Sequence, residues 1–223
     1  MDITELDRKG NASEVLGLFP AEVLHLEPVQ RKVSVAIYRL LAEGQPVPIE
    51  RIGRATDLSV GLVSEILDQW FGVYYDDDHR IIGYWGLAIS KMSHRFEVGG
   101  RTLYTWCAWD ALFIPEILQK TAHVVSTCPV TGEEIRLDIS PESAKSVGSQ
   151  EIFVSFILPD KNDVQADVIG SFCHYVFFFS SAQAGQRWVS EHADTFLLPL
   201  KEAFSLGKEK NRQQYHPLLE SQK

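Results

Sequence analysis

The run His94-Arg95-Phe96-Glu97-Val98-Gly99-Gly100-Arg101-Thr102-Leu103-Tyr104-Thr105-Trp106-Cys107-Ala108-Trp109-Asp110 organises the reading of the whole chain. Two extended segments, His94 to Val98 and Arg101 to Trp106, flank a Gly-Gly pair, the signal of a two-residue β-hairpin. Cys107 falls where the second strand gives way to the apolar run Ala111-Leu112-Phe113-Ile114, which Pro115 is expected to interrupt or restart. On a helical turn, residues three apart share a face, so the Cys107 thiol and the Asp110 carboxylate can meet. The bland alternative is a small core cysteine, since free Cys is among the most buried residue types. Asp110, however, lies between Trp109 and an apolar run, and a buried unpaired carboxylate is costly. Spacing alone barely separates a working pair from a packed segment.

Upstream, Val33, Ala36, Ile37, Leu40 and Leu41 recur at helical spacing from Val29, with Gly44 and Pro46 as the stop. A second helix is expected near Pro48 with Ile49, Ile52 and Ala55. A third follows a Ser59 N-cap and runs to about Trp70, with Leu62, Val63, Ile66 and Leu67 as its buried stripe. Val73 to Tyr75 and Arg80 to Trp85 then form a hairpin around Asp76-Asp77-Asp78-His79. Three helices and a hairpin in this order make a winged-helix-like unit, which raises DNA binding. The charges oppose that use: Asp57, Glu65, Asp68, Asp76, Asp77 and Asp78 occur between positions 57 and 78 without a single Lys or Arg. A surface that faces phosphate needs the opposite sign.

Downstream, strands are expected at Leu87 to Ile89, His123 to Ser126 and Glu133 to Ile139, the last two joined by Cys128-Pro129-Val130-Thr131-Gly132. Ile152 to Leu158 and His174 to Phe179 are the most apolar runs and read as central strands, with Cys173, just before His174, read as part of the same apolar strand. Helices at Ala182 to His192 (N-cap Ser181) and Leu200 to Leu206 precede a polar tail. The expected fold is α+β. Residues 1–90 form a three-helix winged-helix-like domain, with residues 1–25 as an irregular arm, and residues 91–223 form a mixed β-sheet domain with flanking helices.

The 223 residues, 45% hydrophobic and 23% charged, describe an ordinary globular chain. A net charge of -9 argues against nucleic acid as the main partner. No apolar run approaches the roughly 20 residues that span a bilayer, and the acidic start lacks a secretory pattern. A cytoplasmic protein with reduced thiols is expected. Its three cysteines, Cys107, Cys128 and Cys173, form no close pair, so neither a disulfide framework nor a Cys-x-x-Cys site is indicated. Cys128 lacks the second half of a zinc knuckle and reads as structural packing. His94, His123 and His174 are available to a catalytic cysteine but have no diagnostic context. Two thiols and an acid leave open soft-metal chemistry, metal sequestration, or a cysteine hydrolase.

The string from Ile81-Ile82-Gly83-Tyr84, through Arg101 to Asp110 with its Cys-x-x-Asp, to Cys-Pro-Val-Thr-Gly at 128–132 and Ser171-Phe172-Cys173, resembles the alkylmercury (organomercurial) lyases of bacterial mercury resistance. Ala203-Phe204-Ser205-Leu206-Gly207 also fits, and the resemblance covers roughly residues 28 to 212. It implies a winged-helix-like domain without DNA-binding duty, followed by an α/β domain holding the site. It further implies protonolysis of the carbon–mercury bond of R-Hg⁺, giving R-H and Hg²⁺. Cys107 and Cys173 would be the mercury thiols and Asp110 the proton carrier, itself close to the metal. Trp106, Trp109, Phe113 and Phe172 would enclose the organic group. No cofactor is implied, since mercury enters as substrate; low-molecular-weight thiols would support turnover and mercuric reductase would accept Hg²⁺. His174 stands where many members carry a further cysteine, which bears on accessory thiol exchange. A thiol-dependent mercury-binding protein without lyase activity is the alternative.

Overall fold

The computed structural model describes residues 14–18, 25–216 and 218–219. The expected arm, residues 1–25, lies almost wholly outside them; residues 14–17 form a helical turn. Helix α1 (Pro28–Leu41) begins with proline in its first turn and a capping box in which the Glu27 N–H donates to Gln30 Oε1 at 2.9 Å. Its expected stripe is buried, and so are Ser34, Val35 and Tyr38, because the helix lies against α2 (Ile49–Thr56), the sheet and the helix that follows Cys107. Helix α3 (Val60–Leu67) starts where expected, with Ser59 Oγ accepting the Leu62 N–H at 3.2 Å. It stops at Leu67, short of Trp70. Val63, Ile66 and Leu67 complete the core stripe, which turns Leu62 outward to 38% exposure, contrary to the sequence expectation.

Eight strands make one antiparallel sheet in the order β1-β2-β3-β5-β4-β6-β7-β8. They are Val73–Tyr75, Ile81–Tyr84, Leu87–Ala88, His94–Val98, Arg101–Thr105, Ala122–Thr127, Glu134–Ile139 and Ala144–Ser146. In the β4–β5 hairpin, Val98 pairs with Arg101 across Gly99 and Gly100, whose φ angles of 57° and 73° are those a type I′ turn requires. The same device recurs between β2 and β3: Tyr84 pairs with Leu87 across Trp85 and Gly86, at φ 34° and 96°. This second turn is held by hydrogen bonds, with Trp85 N–H donating to the Gly72 carbonyl, Tyr38 Oη to the Trp85 carbonyl and Trp106 N–H to the Gly86 carbonyl.

A smaller sheet has the order β10-β9-β11, from Phe178–Phe179, Phe153–Ile157 and Thr195–Pro199. Two expectations change here. The Ile152 to Leu158 run is central only to this small sheet, and His174 to Phe179 yields just the two-residue edge strand β10. Cys173–Tyr175 is instead a 3-10 turn that follows two short helices, α5 (Lys161–Ala166) and α6 (Val168–Ser171). The cause is local: Asp167 caps α6 by accepting the Gly170 N–H at 3.0 Å, so the chain is coiled when it reaches Cys173.

Helix α4 (Ala108–Leu118) runs through Pro115 rather than stopping at it. Helix α7 (Ala182–Glu191) has the expected Ser181 cap, and α8 (Leu200–Tyr215) continues well past Leu206. Helix α8 lies along α4, and Gly207 allows the close approach: a Cβ there would stand 3.0 Å from Phe113 Cβ and 3.3 Å from Trp109 Nε1. Trp109 Nε1–H donates to the Ala203 carbonyl, and Asn211 Nδ2 donates to the Phe113 carbonyl and to Glu116 Oε2. The architecture is mixed α+β. Among the described residues no helix is long and apolar enough to cross a membrane.

Candidate active site

Cys107 is the N-cap of α4, and its backbone is fixed from both sides. The Ala108 N–H donates to the Val176 carbonyl at 3.1 Å, and Thr105 Oγ1 donates to the Cys107 carbonyl at 2.9 Å. Asp110 sits at the third position of the helix, where its Oδ2 accepts the Cys107 N–H at 2.9 Å; the Cys107 thiol reciprocates towards the Asp110 N–H. This is a capping box with sulfur in the usual place of a hydroxyl. The i, i+3 spacing therefore does bring thiol and carboxylate together.

The same backbone bond to Val176 draws in the segment bearing Cys173. One ligand atom each from Cys107, Asp110 and Cys173 lie within 4.8 Å of one another, and all three residues are buried. Among the described residues, no other group of three or more such side chains has ligand geometry. Trp106, Trp109, Phe113 and Phe172, all nominated from sequence, line one cavity with Asp110 and Cys173. Trp109 meets Phe113 and Phe172 edge-on at ring-centroid distances of 5.4 and 6.1 Å. The cavity encloses about 10 Å³, roughly the room one water needs.

Electrostatics in this dry setting favour neutral groups. Burial pushes the Cys107 thiol well above its ordinary range, and its hydrogen bond with Cys173 and the Asp110 carboxylate add to the rise. At Cys173 the hydrogen bond from Cys107 favours the thiolate, yet burial and the charges of Asp110 and Asp167 outweigh it and raise the pKa. Asp110 is raised from 3.8 to about 6 by burial, against the hydrogen bonds from Cys107 and the positive charge of Lys210. A carboxyl so placed exchanges protons near neutral pH.

The remaining candidates lie outside the cluster. Cys128 is fully buried at its turn; burial would raise its thiol, but hydrogen bonds from Thr131, Ser180 and Val130 bring it below its ordinary value. His94 is buried with Nδ1 on Ser126 Oγ, His123 is exposed beside Asp138, and His174 is exposed on the 3-10 turn. None joins the thiols, so a cysteine–histidine hydrolase has no support among the described residues.

Four wall residues escaped the sequence reading, Trp85, Gly86, Val168 and Lys210, and two of them bear directly on Asp110. Gly86, on the β2–β3 turn, lies so close to Asp110 that a Cβ would come within 2.5 Å of Oδ1 and 2.7 Å of Cβ. The Tyr84-Trp85-Gly86-Leu87 turn was its only sequence signal. Lys210, on α8, is 2% exposed and shares the cavity wall. Its neighbours in sequence are polar, and nothing in them announces burial.

Comparisons with known proteins agree with this arrangement. The family described as MerB, alkylmercury lyase, matches residues 87–210. The alkylmercury lyase of Staphylococcus epidermidis is 40% identical over 172 residues, 77% of this chain and 78% of that protein. Those of Streptomyces lividans and Pseudomonas putida are also 40% identical, over 77% and 78% of this chain and 78% and 80% of theirs. The fold is similar to a crystal structure of the mercury-bound form of MerB2, with a TM-score of 0.67 at 24% identity, covering 92% of this chain and 98% of that one. Identity at this level over most of both chains, with the Cys107, Asp110 and Cys173 cluster inside the matched region, is decisive: the chain belongs to the alkylmercury lyase family.

Proposed function

We propose that this chain is an organomercurial lyase that cleaves R–Hg by protonolysis, with Cys107 and Cys173 as mercury thiolates and Asp110 as proton carrier. The observation that carries the reading is the buried cluster of two thiols and one carboxyl with ligand atoms inside 4.8 Å. Thiolate is the side-chain ligand suited to a soft cation such as R-Hg⁺. Neither thiol is ionised beforehand, and coordination itself displaces the proton. A carboxylate beside a thiol disfavours the free thiolate, so Asp110 serves poorly as a standing activator and well as an acceptor.

The steps then balance. Substrate arrives as R–Hg–SR′; Cys107 displaces R′S⁻, which leaves as R′SH with the Cys107 proton. Cys173 adds to mercury and passes its proton to Asp110. The electron pair of the Hg–C bond takes that proton from Asp110, R–H departs, and Hg²⁺ stays on the two sulfurs. Trp106, Trp109, Phe113 and Phe172 would hold the organic group away from water. Because the cavity encloses only about 10 Å³, admitting even a methyl group requires this wall to shift. No further cofactor is needed for the chemistry. Low-molecular-weight thiols as R′S and mercuric reductase as the acceptor of Hg²⁺ fit the thiol chemistry, and a cytoplasmic setting keeps the cysteines reduced.

The domain division is part of the proposal. Residues 1–90 supply the three helices and the β1–β2 hairpin of a winged-helix-like unit, and residues 91–223 carry the cysteines. The β3–β5 pairing, Leu87 with Thr105, joins them in one sheet, and the acidic third helix and hairpin suit packing rather than DNA.

Incubation with phenylmercury and excess thiol tests the function. Benzene released stoichiometrically with bound Hg²⁺ is the expected product. Capture of phenylmercury without benzene would leave the non-catalytic mercury-binding reading instead. Asp110→Ala is expected to bind the organomercurial and barely cleave it.

A further inference from the structure

Lys210 is the one cationic residue among those lining the cavity, and the cleavage steps assign it no task. It lies on α8 at 2% exposure, with Nζ donating to Gln214 Oε1 at 2.7 Å and standing 3.9 Å from the Phe113 ring centroid. A lysine is almost never fully buried without a compensating charge. Asp110 lines the same cavity, and the carboxylates of Asp110 and Glu116 are the negative charges that act on it. Glu116 already has partners of its own: Lys208 Nζ at 2.5 Å and Asn211 Nδ2 at 2.9 Å. Among the described residues, the hydrogen-bond donors to Asp110 are neutral, the thiol and N–H of Cys107.

We propose that Lys210 is a positioning residue for Asp110, supplying the counter-charge against which Asp110 stands as a carboxylate before it takes the thiol proton and after it gives that proton to carbon. The inference rests on the lyase reading above. After cleavage the two sulfurs are neutralised by Hg²⁺, and the carboxylate is the remaining negative charge in a dry cavity. Without a cation it is an isolated buried ion, which is costly. Lys210 places a positive charge on the same cavity wall as that carboxylate, and so favours the transfer rather than the binding. Phe113, also a wall residue, holds the ammonium by its ring face. The other titratable groups facing this pair are Tyr215, whose ring centroid is 5.8 Å from Nζ, and Tyr38, whose phenol lies in the field of Asp110. Neither carries charge at neutral pH, since burial raises both phenols.

The test separates capture from cleavage. Wild type, Lys210→Gln and Lys210→Arg are loaded with one equivalent of phenylmercury. Capture is followed by loss of titratable thiol, and cleavage by benzene release in a single turnover. Glutamine keeps a hydrogen bond to Gln214 and removes the charge; arginine keeps the charge. Lys210→Gln should release benzene at least about tenfold more slowly with capture within about twofold of wild type, the scale of one charge-assisted contact. Lys210→Arg should stay closer to wild type than Lys210→Gln. Cleavage by Lys210→Gln at the wild-type rate, a parallel fall in capture and cleavage, or an arginine variant as slow as glutamine would each overturn the proposal. Absence of benzene from wild type would instead sink the lyase reading on which it rests.

Discussion

Gly86 and Asp110 are packed so closely that the glycine's missing side chain is part of the site: a Cβ would lie 2.5 Å from Asp110 Oδ1. The turn cannot retreat, because hydrogen bonds to Gly72, Tyr38 and Trp106 fix it, and its φ of 96° already disfavours any other residue. Gly86→Ala therefore combines backbone strain with a clash. It should cost about 2–4 kcal/mol and displace the carboxyl from Cys107. Cleavage of phenylmercury should fall far more than thiol capture. A variant with wild-type stability and turnover would show that the wall relaxes freely.

Asp110 and Lys210 tie stability to pH in opposite directions. The Asp110 pKa rises from 3.8 unfolded to about 6 folded, so the folded state holds the extra proton between those values. Its contribution is intact below about pH 4 and is lost as pH rises through 6, on the order of 3 kcal/mol in full. Lys210 falls from 10.5 to about 7, so the unfolded state holds the extra proton there and stability recovers as pH rises from 7 towards 10.5. Asp110→Asn removes the first limb and, by taking away a carboxylate that acts on Lys210, lowers that lysine further, which adds in the same direction. Urea unfolding should show the variant gaining on wild type by roughly 1–3 kcal/mol between pH 4 and pH 7. A difference that stays constant with pH would contradict a raised carboxyl.

Much of this fold was legible because its signals are local. The Ser59 and Ser181 caps and the Gly99-Gly100 turn each act within four residues of themselves, and each of these elements begins where the sequence indicates. Cys173 was misplaced because Phe172 to Phe179 is apolar at every spacing, and only the Asp167 cap upstream keeps it coiled. The pairing of Cys107 with Cys173 depends on the Ala108–Val176 bond, a long-range contact without local trace, and came from family resemblance. Lys210 sits in Lys208-Glu209-Lys210-Asn211, a string that reads as solvated. Gly207 lets α8 approach α4 closely enough to bury Lys210, Asn211 and Gln214.

Asn211 ties α8 to the helix that carries Asp110. Its amide donates to the Phe113 carbonyl and to Glu116, beside the break that Pro115 makes in the ladder of α4. Asn211→Leu removes both of these hydrogen bonds, one of them to a carboxylate, and should cost about 1–3 kcal/mol. For a chain of this size that lowers the melting temperature by roughly 2–4 °C per kcal/mol. An unchanged melting temperature would mean that α8 is held by packing alone.

The three cysteines should separate cleanly by function. As the proposed mercury thiolates, Cys107 and Cys173 would have no role that serine can fill, since a hydroxyl is a hard ligand and keeps its proton against mercury. Cys107→Ser also leaves a hydroxyl able to complete the same N-cap, so the helix should survive while activity does not. Each single variant should retain one mercury thiol, bind phenylmercury more weakly, and release no measurable benzene. Cys128 lies at its own turn, with its sulfur accepting hydrogen bonds from Thr131, Ser180 and Val130. Serine accepts the same bonds, so Cys128→Ser should cleave phenylmercury like wild type and still hold one Hg²⁺ per chain afterwards. Loss of cleavage in Cys128→Ser, or its survival in Cys173→Ser, would reassign the mercury thiols. Inductively coupled plasma measurement of retained mercury alongside benzene yield decides between them, because it counts the metal and the broken bond in the same sample.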